Sequence, residues 1–149
     1  MKMSVARSAI VLLALASPLL IAQQADGTKP AAAAEPAFKA HVLSKSELEA
    51  LLAKPEQVLL IDVRRPDEVT SIGGFPVYLS IQAKELENSI AWIPKGRTIV
   101  TVSNHAGRAG KAADLLASKG FKVAGAVGAE TYEKDGGKIA HLKAPPPKT

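Results

Sequence analysis

The sequence predicts an α/β domain on a mainly parallel central sheet, with helices flanking both faces. Residues 58–63 (VLLIDV) form a continuous apolar run with one acid near its end. Such runs suit a central parallel strand covered on both sides. Residues 99–102 and 123–127 read as further buried strands, and strand and helix patterns alternate from residue 37 to about 142. The 149-residue chain has room for one domain, and its 47% apolar content is ordinary for a globular core.

The ends of the chain read differently from its middle. Residues 1–22 resemble a secretory signal: Lys2 and Arg7 precede an uncharged apolar run, 9–22, which is short for a bilayer span and interrupted by Pro18. Cleavage after Ala22 or Ala25 would release a periplasmic or secreted protein without stable membrane insertion; the alternative is an uncleaved N-terminal anchor. Residues 23–36 are rich in Ala and Pro and poor in bulky apolar groups, which predicts a disordered linker. The domain is expected over 37–142, followed by a Pro/Lys tail at 143–149.

Within the domain, residues 37–43 predict a short first strand. Ser44 or Ser46 can cap the next helix, since Glu47 and Glu49 complete a capping box with either. Leu48, Leu51 and Leu52 recur at helical spacing and Pro55 ends the element. Asp62 then falls near the carboxyl end of a strand, the edge where open α/β sheets bind ligands. Asp62 and Arg64 are expected to form a structural bridge to a neighbouring loop, whereas Arg65, Asp67 and Glu68 read as a solvated turn with offsetting charges. Gly73-Gly74 predicts a flexible hinge before a strand at 77–81. Residues 83–92 predict a two-turn helix with Leu86, Ile90 and Ile93 turned inward. Trp92 is expected in the core or at its rim. Pro94-Lys95-Gly96 forms a turn.

The stretch that carries function is 98–119. A strand at 99–102 leads into a loop of Ser103, Asn104, His105, Ala106, Gly107 and Arg108, and then into a helix with Ala109, Ala112, Ala113, Leu115 and Leu116 on its inner side. A loop in that place gathers free backbone N–H groups at a helix N-terminus, which suits an anion, and Arg108 adds a charged donor fork. Ser103 stands where a nucleophile would. Gly120 ends the helix with Phe121 placed for a C-cap contact, and 128–132 turns into a short final helix before Gly136-Gly137.

Composition narrows the chemistry. The chain has no cysteine, which excludes disulfides and thiolate catalysis. His41, His105 and His141 show no ligand spacing, so neither metal nor cofactor is expected. The net charge is +5; less Lys2 and Arg7 it is +3. With aromatics at 4% there is no basic-aromatic surface for nucleic acid.

Several segments together resemble a single rhodanese domain, the sulfurtransferase fold, from about Ala40 to Leu142. Leu60-Ile61-Asp62-Val63-Arg64 with Asp67-Glu68 is similar to that family's strand-end Asp-x-Arg and trailing acid. Gly73-Gly74-Phe75-Pro76 stands where the family has Gly-His-Ile-Pro. Ser103-x4-Arg108, with Ala112, Ala113 and Leu116, matches Cys-x4-Arg and its downstream pattern. Gly120-Phe121, Val123, Gly128 and Tyr132 resemble the domain's ending. The resemblance implies a sulfurtransferase loop, one residue shorter than that of the fold's phosphatase relatives. It also implies a cysteine that holds sulfane sulfur as a persulfide, and that cysteine is Ser103 here. Ala106 and Ala109 replace a usual glycine and serine. A serine hydroxyl stays protonated near neutral pH and forms no persulfide.

Three functions follow as expectations. The domain is non-catalytic and its loop binds a small oxyanion or a partner's acidic group. Alternatively it is a structural interaction scaffold, with Ser103 capping and Arg108 paired to a carboxylate such as Asp62. A Ser103-dependent hydrolase is the remaining possibility, and it needs a base such as His105 within hydrogen-bond reach and a third group to orient it.

Overall fold

A computed structural model describes residues 37–141. The expected signal, linker and tail, at 1–22, 23–36 and 143–149, lie outside the described residues. Strands β1 (Val58–Asp62), β2 (Leu79–Ser80), β3 (Thr98–Ser103) and β4 (Val123–Gly128) form a parallel four-stranded sheet in the order β2-β1-β3-β4. The helices are α1 (Lys45–Leu52), α2 (Pro66–Ile72), α3 (Gly107–Ser118) and α4 (Ala129–Lys134).

Side-chain alternation along the strands splits the core in two. Val58, Leu60, Val100, Val102 and Val127 pack on one face with Leu48 of α1 and Tyr132 of α4. Ile61, Val63 and Ile99 pack on the other with Ala112 and Leu116 of α3, Phe121, Leu86 and Ile93. The β1–β3 register keeps like with like, pairing Leu60 with Val100 and Ile61 with Thr101. Ala109 and Ala113 of α3 pack against Ala126, small residues that let the helix lie close to β4.

Local signals explain the helix ends. Of the two capping boxes open to α1, the one on Ser44 forms: its hydroxyl accepts the Glu47 N–H at 3.3 Å, and Glu47 accepts the Ser44 N–H at 2.8 Å. The Ser44 hydroxyl also donates to the Glu47 carboxylate at 2.7 Å, and this bond, followed by that of the Ser44 N–H, lowers the Glu47 pKa to about 2. α3 ends at Gly120, whose φ of 82° needs a residue without Cβ. Phe121 N–H then reaches Leu116 O at 3.1 Å and Gly120 N–H reaches Ala117 O at 3.0 Å, while the Phe121 ring is buried.

Several expected elements are shorter or different. The first strand reduces to one bridge, Val42 to Ala126, and the strand at 77–81 to Leu79–Ser80. The helix at 83–92 is two separate 3₁₀ turns, Ala83–Glu85 and Ile90–Trp92; Leu86 and Ile93 are buried but Ile90 only half so. Trp92 is 84% exposed, on the outer side of its turn and outside the core. Gly73 is no free hinge. It caps α2 and packs against Ala140 and His141, while Gly74 and Ala140 exchange two backbone hydrogen bonds at 2.9 and 2.7 Å. The turn expected around Arg65 is the start of α2, with Pro66 in its first turn.

No helix among the described residues is long and apolar enough to cross a membrane. The chain leaves β1 toward β2, then crosses back to β3 on β1's other side. The strand order therefore reverses between the carboxyl ends of β1 and β3, the switch point where open sheets hold their sites.

Candidate functional site

Asp62 ends β1 and Ser103 ends β3, so the sheet itself brings them to the switch point. Asp62 and Arg64 are 1% and 0% exposed. One Asp62 carboxylate oxygen accepts the Arg64 backbone N–H at 3.1 Å and Nε at 2.9 Å, while the other accepts Nη2 at 2.7 Å. Charges this deep persist only when paired and hydrogen-bonded. Arg64 Nη1 also donates to Asn104 Oδ1 at 3.3 Å, the expected bridge to the neighbouring loop.

Asn104 passes the connection on. Its Nδ2 donates to Glu68 Oε1 at 2.9 Å, and Glu68 in turn accepts Arg108 Nη1 at 2.8 Å and Nη2 at 2.6 Å. Glu68 Oε2 also accepts the Arg65 N–H at 3.0 Å, capping α2. The Arg108 fork, followed by the Arg65 N–H, holds the Glu68 carboxyl at about 2. Hydrogen bonding to Glu68 raises the Arg108 guanidinium above its ordinary value. One connected network therefore runs Asp62–Arg64–Asn104–Glu68–Arg108 beneath and beside the loop.

Glu68 is not the solvated charge expected from the sequence: its side chain is 15% exposed and it is the partner of Arg108, the place expected for Asp62 in a scaffold. Pro66 followed by acids in the first turn was the available signal, since that pattern opens a helix. Arg65 and Asp67 do form an exposed offsetting pair at 2.8 Å.

The loop is shorter than its sequence suggests. Ser103 belongs to β3, and Gly107 and Arg108 open α3, leaving residues 104–106 as the connection. Ser103 is 0% exposed. Its Oγ accepts the Ala109 N–H at 3.0 Å and donates to the His105 carbonyl at 3.3 Å. Thr101 Oγ1 donates to the Ala109 carbonyl at 2.8 Å, so two β3 side chains tie down one residue of α3. The connection lies across the end of β4, where a Cβ on Gly128 would come within 2.8 Å of Asn104 O and 3.0 Å of Ala106 N. A larger residue at 128 would lift the loop.

The histidines lie elsewhere. His105 is 76% exposed and its Nε2 faces Glu130 at 3.6 Å; His141 bonds Glu133 at 2.6 Å and His41 bonds Glu47 at 3.0 Å. Among the described residues no group of three or more His, Asp or Glu is placed to hold a metal ion. Ser103 thus has its proton on a carbonyl, a lone pair on an amide, and no imidazole directed at it. A Cβ at Gly74, in the position of the family's histidine, would sit 3.3 Å from Arg64 Nη2.

No protein-family model matches the chain, and no curated protein does. Solved structures match. A rhodanese-related protein from Thermoplasma volcanium is 17% identical with a TM-score of 0.58, over 69% of this chain and 98% of that one. The chain has a rhodanese-like fold. A thiosulfate sulfurtransferase from Pseudomonas aeruginosa is 23% identical (TM-score 0.57) over 68% of this chain, which spans 20% of that longer protein. A Rhodopseudomonas palustris protein of unknown function, described as a possible tyrosine phosphatase, is 23% identical (TM-score 0.59) over 68% of this chain and 85% of that one.

Proposed function

We propose that this rhodanese-like domain is non-catalytic and acts as an interaction scaffold. The observation that carries the reading is Ser103: a buried hydroxyl at the nucleophile's position, hydrogen-bonded to the loop on one side and to α3 on the other. Sulfur transfer by the family's chemistry needs an ionised thiol there, and hydrolysis needs a base on the hydroxyl. Ser103 instead joins the end of β3 to the first turn of α3. The network around Glu68 supports the same role, because it spends the loop's charge on internal contacts.

The second reading keeps the loop as a binding element for a small oxyanion or a partner's acidic group. The partial exposure of Arg108, 40% at its side chain, favours it. Such a ligand would have to take Arg108 from Glu68. We further propose that the protein is exported by residues 1–22, on the charge and hydropathy pattern of that segment. N-terminal sequencing of the mature chain tests this, with a start at residue 23 or 26 expected and an intact Met1 contradicting it.

For catalysis, the purified protein is incubated with thiosulfate and cyanide, and separately with a fluorophosphonate probe. Neither thiocyanate nor labelled Ser103 is expected. Turnover in the first assay, or labelling abolished by Ser103→Ala in the second, would overturn the non-catalytic reading.

A further inference from the structure

The Arg108 side chain is 40% exposed, yet both terminal nitrogens of its fork turn inward to one carboxylate. That carboxylate, Glu68, also receives the Asn104 amide and the Arg65 backbone N–H. Four donors from α2, the loop and α3 converge on it. The neighbouring acids are engaged elsewhere: Asp62 with Arg64, Asp67 with Arg65, and Glu130 facing His105. A guanidinium fork and an amide on a planar carboxylate form the arrangement in which a bound carboxylate ligand would be held.

We propose that Glu68 is an internal ligand: its carboxylate fills a carboxylate-binding site made by Arg108 and Asn104, and so keeps free oxyanions out of the loop. The inference rests on the reading of the loop given above and names the residue that sets its selectivity. Glu68 is tethered to α2 and already fixed by its backbone contact, so a free anion competes against a partner whose freedom is already lost. The depressed carboxyl pKa fits a site in which the charged form is held tightly. A small anion at ordinary concentration therefore leaves the intact protein unchanged, and the same anion binds once Glu68 is removed.

Formate, the smallest carboxylate, is the probe. Glu68→Ala removes Cγ and the carboxyl group, and leaves Arg108 and Asn104 facing a space large enough for formate. Thermal unfolding near pH 7 is followed against sodium formate and against sodium chloride of equal ionic strength. For Glu68→Ala, formate is expected to raise Tm saturably by on the order of 5 °C beyond chloride. Wild type should respond to the two salts alike, and Glu68→Ala/Arg108→Ala should lose the formate response. Equal response of Glu68→Ala to both salts, or a formate response in wild type as large as in the variant, overturns the assignment.

If Glu68→Ala does not fold, Glu68→Ser carries the test, since it also empties the site of its carboxylate while its hydroxyl can still meet the Arg65 N–H at the start of α2. The Arg108 Nε–H resonance should then shift saturably with formate in the variant and not in wild type; no shift in the variant overturns the assignment. Thiocyanate production by wild type would defeat the non-catalytic reading and leave the formate result standing, so the two failures are distinguishable.

Discussion

The Asp62–Arg64 and Glu68–Arg108 pairs stand at the same edge of the sheet and differ in what surrounds them. Asp62 and Arg64 are two residues apart and sealed from water, so their contact is nearly local and their surroundings are the cost. Glu68 and Arg108 are forty residues apart, joined across two elements, and one side of the pair meets solvent. The first pair is part of the core; the second fastens the loop to it. Asn104 touches both, so the loop's position depends on a deep pair that cannot lose one member alone and a shallow one that can be exchanged.

The largest effect is expected at the deep pair. Arg64→Met leaves Asp62 charged and buried, and should cost about 3–5 kcal/mol in urea unfolding. Asp62→Leu/Arg64→Met, which removes both charges, should recover much of that loss. A cost for Arg64→Met under about 1 kcal/mol would erase the distinction between the pairs.

At the shallow pair, Glu68→Gln should cost about 1–3 kcal/mol, because it removes hydrogen bonds to a charged acceptor. It should also change the acid limb of stability. The folded carboxyl is depressed from 4.5 to about 2, so its contribution is complete above the unfolded value and is lost as pH falls from 4.5 toward 2. Glu47 is depressed to about 2 as well and titrates in the same window, so the difference between wild type and Glu68→Gln is the quantity to follow. An identical acid limb in both proteins would mean Glu68 is not held as described.

Ser103→Ala sharpens the claim that the hydroxyl is structural. It strips the Ala109 N–H of its acceptor in a buried place and should cost about 1–2 kcal/mol in the same unfolding assay. The smallest effect belongs to Arg65→Ala: its side chain is 61% exposed, and the loss should be too small to measure in the same unfolding assay. A larger loss there would show that the surface pair takes part in the network.

Most of the frame was legible from residues alone. Apolar runs at 58–63 and 99–102 gave β1 and β3, the Ser44 box gave α1, and Gly120 gave the end of α3, because each rests on local chemistry. The short pieces were not. β2 has two residues, and the strand expected at 37–43 is one bridge, since edge segments are decided by what the neighbouring strand offers. In the site, the positions of Ser103, Arg108, Asp62 and Arg64 could be read from strand ends and spacing. Glu68 could not be placed, because an acid among Arg65, Pro66 and Asp67 has the appearance of a solvated charge until α2 turns it toward Arg108. The closure of the loop was hidden for the same reason: it depends on contacts across the switch point.

The contrast between the two pairs requires that Glu68 hold the loop's arginine in solution. The direct measurement is the NMR titration of the Glu68 side-chain carboxyl in wild type and in Arg108→Ala. A midpoint at about 2 is expected in wild type, moving up toward the ordinary 4.5 when Arg108 is removed. A wild-type midpoint already near 4.5, unmoved by Arg108→Ala, would contradict that contrast.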